Sequence, residues 1–206
     1  MKKIEYDYLD EYGEVPKNPV TRFFDHLKEI NLSDDERNFL MDRVERNQKL
    51  KWKSISFVIY LVPKATPRPR FSRFSHSFYV SGAKDNRDLF MKYMKDLDVP
   101  MITTACKFHC TSYLPIPKTM SGIEKVLAEL GLIYPIGKPD WDNLGKTYSD
   151  MIQGSLLFDD YLIIEGVSKK RYSAKPRIEI TIEYMEEFDS IYNEKKILTK
   201  LEKGKK

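Results

Sequence analysis

Residues 138–160 read KPDWDNLGKTYSDMIQGSLLFDD. Three aspartates, Asp140, Asp142 and Asp150, surround Lys146, and Asp159 and Asp160 follow an apolar Leu156–Leu157–Phe158 run. On a helix, Asp142, Lys146 and Asp150 fall at i, i+4 and i+8, which is one face. Pro139 precedes the first turn, Asp140 is then a natural N-cap, and Gly154 is a C-terminal stop. Leu144, Tyr148 and Met151 supply the opposite, core-facing side. The stretch therefore predicts a helix over 140–152, followed by acids at the edge of a strand that begins with Leu162, Ile163 and Ile164.

The elements outward from this helix define the fold class. Upstream, SISFVIYLV alternates Ile55, Phe57, Ile59 and Leu61 with polar or outward positions, the period of a half-buried strand. KATPRPRFSRFSHSF follows, and its two prolines bar it from being a helix or a central strand. A helix is expected within 83–97, carrying Leu89, Phe90 and Met94. ITTACKFHCTSYLPIP reads as a strand with Cys106, Phe108 and Cys110 on one side, and 121–131 as a short helix ending near Gly131. LIIEGVSKKRYS and RIEITIEYM read as a pair of strands, and 188–203 as a lysine-rich terminal helix. Residues 17–50 read as two helices, the second opening with Ser33 and Glu36 at capping-box spacing and continuing an apolar face at Leu40 and Val44. The expectation is an α/β (α+β) protein: a small mixed sheet with helices packed on it, and a helical N-terminal extension. The domains expected are an extension at 1–50, a main domain at 51–186 and a basic tail at 187–206.

Charge is distributed unevenly. The formal net charge of the 206 residues is +4. Residues 51–120 hold twelve basic against four acidic residues, whereas 121–186 hold eight against eleven. A basic half that grips a polyanion and an acidic half that holds cations fit this pattern, as do ordinary solvated faces. With 41% hydrophobic and 13% aromatic residues the chain has material for a core. No apolar run approaches the roughly 20 residues of a membrane helix. The opening MKKIEYDYLDEYGEV turns acidic at once and lacks the apolar stretch of a signal peptide. Two cysteines make no disulfide framework, so a soluble, cytoplasmic protein without a membrane partner is expected.

Other uses of the acids fail on spacing. An EF-hand loop starting at Asp140 has glycine at its sixth position, Gly145, but Met151 where a bidentate glutamate is required at the twelfth. A nucleophilic aspartate would close an apolar strand, and the lead-in YPIGKPD is no such strand. Cys106-Lys-Phe-His109-Cys110 hints at zinc, yet strand alternation turns His109 away from both thiols, leaving two buried strand cysteines. No glycine-rich phosphate loop is present. Converging carboxylates beside a lysine suit Mg²⁺ or Mn²⁺ and chemistry on a phosphate. The bland alternative is capping aspartates plus a surface ladder in which Lys146 merely pairs with its i±4 neighbours.

The polar positions of this stretch resemble the signature of RusA-type Holliday junction resolvases: P-D-x-D-N-L-x-K, an aspartate four residues on, and a D-D pair after a short apolar turn. TPRPRFSR followed by FYV at 78–80 resembles that family's arginine-containing segment, and KKRYSAKPRIEITI its closing hairpin. The likeness spans roughly residues 54–186. It implies a magnesium-dependent homodimeric endodeoxyribonuclease, common in prophages, that resolves four-way DNA junctions in recombination and repair. It implies Asp140, Asp142 and Asp160 as essential metal-binding acids and Lys146 as the catalytic lysine. Asp150 and Asp159 take supporting places, Asp159 being a candidate ligand too. Lys64, Arg68, Arg70 and Arg73 are expected to contact DNA, with Lys169, Lys170 and Arg171 extending the basic surface. Phe71, Phe74 and Phe78 either stack on bases or pack beneath their loop. Trp141 stands where a smaller apolar residue is usual, and either anchors the helix or faces DNA. The alternative from another class is a non-catalytic junction-binding or DNA-binding protein whose acids are structural.

Overall fold

The computed structural model describes residues 32–66, 70–72, 75–78, 84–95 and 99–204. The chain divides into two compact units, Met1–Leu50 and Lys51–Lys206. In the first, helix α1 (Asp34–Gln48) carries the expected capping box: Ser33 accepts from the Glu36 amide while the Glu36 carboxylate accepts from the Ser33 amide. None of its side chains is buried. The other helix expected in this extension lies outside the described residues.

The second unit is built on a four-stranded sheet in the order β1-β6-β4-β5, with β1 Trp52–Ile59, β4 Cys106–Pro115, β5 Ile163–Ser173 and β6 Arg177–Met185. β6 runs antiparallel to both β1 and β4, and β4 runs parallel to β5. The mixed sheet of the α+β expectation is therefore present. A separate two-stranded ribbon, β2 (Arg70–Ser72) with β3 (Ser75–Phe78), occupies the segment that its prolines keep out of the main sheet. Helix α2 is Lys84–Lys95, α3 is Gly122–Glu129, α4 is Trp141–Ile152 and α5 is Ile191–Gly204.

One pairing departs from the sequence reading. The last two strands do form, but they are not partners in a closing hairpin, because β4 lies between them. Ser112 of β4 faces Lys170 of β5 on one side and Ile178 of β6 on the other. The link after Ser173 passes the end of β4, where Pro115 pairs with Ser173. Glu129 of α3 holds this crossing, accepting from Ser173 Oγ at 2.9 Å and from the Ala174 amide at 2.5 Å. Parallel partners cannot be joined by a tight turn, so the β4-to-β5 crossover contains α3 and α4, and α4 is thereby laid along the sheet.

Alternation makes the core. Cys106, Phe108, Cys110, Ile178, Ile180 and Ile182 all face it from the sheet, joined by Ile59 of β1. Leu144, Tyr148, Met151 and Ile152 of α4, with Phe90 and Met94 of α2, close it from above. The Phe90 and Tyr148 rings stack at a centroid distance of 5.9 Å. Leu89, expected beside Phe90 in this helix, is exposed. Both cysteines are buried free thiols, pushed up to about 12 by desolvation, as expected of inert strand cysteines. No described helix is long and apolar enough to cross a membrane.

The approach of α4 to β5 is set by Gly145. A Cβ on that residue would lie 3.0 Å from Ser168 Cβ and 3.2 Å from its Oγ. Ser168 Oγ also donates to the Trp141 carbonyl at 2.7 Å, tying the first turn of the helix to the strand. Gly145→Val would drive a branched side chain into this contact, and overpacking of this kind costs typically about 1–3 kcal/mol. A fall of about 2 kcal/mol in the unfolding free energy is expected by chemical denaturation. A Gly145→Val protein as stable as the parent would show that the contact tolerates a side chain.

Candidate active site

Helix α4 presents three stripes with different tasks. Leu144, Tyr148 and Met151 form the stripe that enters the core. The second grips another part of the chain through hydrogen bonds. Tyr148 Oη accepts the Lys64 amide at 3.1 Å and donates to the Lys64 carbonyl at 3.4 Å. Thr147 Oγ1 accepts the Thr66 amide at 2.8 Å and itself donates to the Asn143 carbonyl at 2.7 Å. Asn143 Nδ2 donates to the Thr66 carbonyl at 3.3 Å. The backbone groups of residues 64 and 66 thus gain side-chain partners without belonging to any strand, which is how an irregular segment can lie against a core. They lead directly into the arginine-rich segment.

The third stripe is acidic and faces outward. Asp140 is the N-cap residue, as the sequence predicts, but its carboxylate makes no capping bond. Asp142 is exposed one position into the helix. Lys146 Nζ lies 3.0 Å from Asp150 Oδ1 and 4.0 Å from Asp160 Oδ2, so this ammonium sits between a helical acid and the acid that opens the turn into β5. The hydrogen bond that Lys146 donates to Asp150, then the charge of Asp150, raises the Lys146 pKa above the ordinary lysine value, with Asp160 adding a smaller contribution. Raising an already high pKa keeps the group an ammonium throughout the neutral range. Asp160 begins a short 3-10 turn (Asp160–Leu162) whose backbone is fixed by burial of Leu156, Leu157 and Leu162. Asp159 is oriented by Gln153, whose Nε2 donates to Oδ1 at 2.9 Å.

Carboxylate oxygens of this kind are the donors a hard divalent cation takes. Among the described residues, however, no three His, Cys, Asp or Glu side chains are gathered into a group that could hold a metal ion. The donors fit such a cation in kind without being drawn together around one point.

The basic candidates divide between surface and scaffold. Lys64 is exposed beside the gripped backbone. Arg70 is placed by its backbone in β2, whereas Arg68, Arg73 and Phe74 lie outside the described residues. Lys169, Lys170 and Arg171 sit inside β5, opposite Thr111, Ser112 and Tyr113. Lys170 Nζ donates to the carbonyls of Gly137 at 2.8 Å and Pro139 at 3.0 Å, and the Arg171 guanidinium lies 5.2 Å from the Tyr134 ring. These two side chains therefore hold the loop that delivers Asp140. Trp141 is 61% exposed, which rules out anchoring in the core.

Thr147 builds the site without standing out in the sequence, whereas Asn143, its hydrogen-bond partner, is the asparagine of the P-D-x-D-N-L-x-K pattern. A signal for Thr147 was present: it lies four residues after Asn143 on the same helix, a second polar side chain on that line, and it is buried where Asn143 is half-buried. Thr147→Val keeps shape but leaves the Thr66 amide without its acceptor. Stranding a buried donor costs about 1–3 kcal/mol. Thr147→Val is expected to lower stability by that amount and to speed hydrogen exchange at the Thr66 amide. Exchange at the parental rate would mean that the grip on 64–66 does not depend on Thr147.

Comparison with known proteins agrees with the polar pattern. The family model described as endodeoxyribonuclease RusA matches residues 61–183, which is more than half of the chain and contains every acid of the site. A relative from Bacillus subtilis (strain 168), described as the uncharacterized protein YqaN, is 30% identical over 135 residues, covering 62% of this chain and 94% of its own length. The matched region runs from just after β1 through the gripped segment, α4 and the Asp159–Asp160 turn into β6, so fold, site and sequence pattern coincide: the chain belongs to the RusA family of endodeoxyribonucleases.

Proposed function

We propose that this protein is a magnesium-dependent endonuclease that resolves four-way DNA junctions by paired nicks, in the cytoplasm, during recombination or repair. What supports the reading is one helix that carries Asp142 and Lys146 on its outer face and grips the entry to the arginine segment on another. Asp140, Asp142 and Asp160 would hold the cation, with Asp159 beside them, and the same oxygen donors suit Mn²⁺ as a substitute. When bound, the cation supplies Lewis acidity toward the phosphodiester and lowers the pKa of the attacking water.

The remaining work falls to the chain itself. Lys146 offers a permanent ammonium to the scissile phosphate and stabilises charge that develops there. Its bond to Asp150 is an exposed ion pair, of a class worth at most about 1 kcal/mol, so exchanging that partner for a phosphate oxygen is inexpensive. Lys64, Arg68, Arg70, Arg73 and Lys169 supply phosphate contacts. A four-way junction has two-fold related strands, and a homodimer of this chain would present one site to each. The domains proposed are the extension 1–50, the nuclease domain 51–186 and the basic tail 187–206.

Cleavage of four-way junctions, flaps and linear duplex in Mg²⁺ tests the proposal. The expected result is symmetric nicking of the junction in preference to the others, lost in EDTA and in Asp142→Asn. Lys146→Ala is expected to slow nicking by about 10²–10³-fold, the usual loss for one electrostatic stabiliser. An Asp142→Asn protein that nicks at the parental rate overturns the site assignment. Junction binding in EDTA with no scission after Mg²⁺ is restored would instead favour a non-catalytic binding protein.

A further inference from the structure

Helix α5 lies beyond the residues shared with the family, which end at 183, yet it packs beside the Asp160 turn. Its seat is well defined. Ser190 caps it, accepting from the Asn193 amide at 3.2 Å through Oγ, while its carbonyl accepts from Glu194. Ile197 is buried in the main core, and Phe188 and Leu201 pack against that core. With Ile197 and Leu201 turned inward, Tyr192, Lys196 and Lys200 form a neighbouring stripe at i, i+4 and i+8.

That stripe meets Tyr161, the residue after Asp160. Lys200 Nζ stands 4.1 Å from the Tyr161 ring centroid, and Lys196 Nζ 5.8 Å from it and 5.9 Å from the Tyr192 ring. Neither ammonium has a carboxylate partner within ion-pair distance among the described residues. Asp189, the acid that shares a hollow with Tyr161 and Lys196, is engaged by Asn193 Nδ2 at 2.7 Å. Glu194 and Glu202 lie two residues from Lys196 and Lys200, so they project from other faces of the helix. A ring face attracts an ammonium without saturating its three N–H donors. Two such cations, held over a ring next to a candidate metal-binding acid, make a phosphate-binding strip whose side chains are already partly ordered, so less freedom is lost on binding.

We propose that Lys196 and Lys200 bind the phosphodiester backbone of the DNA as it passes the Asp160 side of the site, so that α5 is a DNA-positioning element added to the nuclease domain. The inference rests on the nuclease reading. It is tested by binding rather than by cleavage, with the full chain and a fluorescently labelled four-way junction in EDTA, over a series of KCl concentrations. Lys196→Gln/Lys200→Gln keeps the stems and the helix propensity but removes both charges. Its plot of log affinity against log salt is expected to be shallower by about 4 than that of the parent when a dimer binds the junction, roughly one unit for each of the two lysines lost in each protomer. Lys196→Arg/Lys200→Arg is expected to retain the parental slope.

Lys118→Ala/Lys125→Ala removes the same charge beyond the Pro115 end of β4, away from the Ala105 end where Lys196 sits. This control is expected to leave the slope unchanged. A glutamine pair with the parental slope and affinity overturns the proposal, as does an equal loss in the control pair. A chain that binds and nicks junctions normally while the glutamine pair behaves as parent sinks this inference alone. A parent that binds no DNA, or an Asp142→Asn protein that still nicks, sinks the nuclease reading first.

Discussion

The close contact between α4 and β5 at Gly145 and Ser168 is the constraint from which the site follows. A helix against a sheet ordinarily stands off by the thickness of its side chains. Here one residue without a Cβ lets the helix settle onto Ser168, while the Ser168 hydroxyl fastens the Trp141 carbonyl. With distance and first turn both fixed, rotation about the helix axis is fixed too. Leu144, Tyr148 and Met151 then enter the core, Asn143 and Thr147 meet the backbone of residue 66, and Asp142, Lys146 and Asp150 are left facing outward. A different rotation would bury charge without partners, at a cost far above what any surface ion pair returns.

The polar grip has a consequence for how the two charged halves of the chain relate. In sequence, the basic segment and the acidic helix are far apart: Lys64 to Tyr148 spans 84 residues and Thr66 to Thr147 spans 81. In space they are held by hydrogen bonds whose loss would strand part-buried donors. The entry of the basic segment and the acidic stripe are therefore not two patches that happen to lie near each other. Any movement of α4 moves the entry of the arginine segment with it, which under the proposed function would keep positional error between DNA contacts and reacting groups small.

Much of this was legible from local pattern, for definite reasons. Strands β1 and β4 were readable because each has one face in the core and one outside, so alternation survives in their sequences. Helix α4 was readable from its cap, its stop and its i, i+4 acids. The partnership of β5 and β6 was not, since two strands separated by three residues read as neighbours. Only long-range pairing, such as Ser112 with Ile178, reveals β4 between them. The contacts of Lys170 and Arg171 were hidden for the same reason: with β5 and β6 read as neighbours, nothing in the sequence shows that these β5 residues reach the 134–139 loop. Asp140 shows the opposite limit. Its position as N-cap was readable, while the absence of a capping bond from its carboxylate depends on geometry that residue identity does not encode.

Lys146 is best understood through the weakness of its present bonds. An ammonium 3.0 Å from Asp150 and 4.0 Å from Asp160, largely open to water, is paired but not committed. Had the same pair been buried, the desolvation already invested in it would make separation costly, and the lysine would be a structural residue. Exposure lets it serve as a placeholder charge among the acids. It limits the mutual repulsion of these acids, and under the proposed function it would turn to a phosphate of the bound DNA. On this account Asp150 needs no part in ligation to matter, because it parks the lysine one helical turn from Asp142 and within reach of Asp160. The acid that a simple ligand count would discard is thus the one that sets where the cationic group waits.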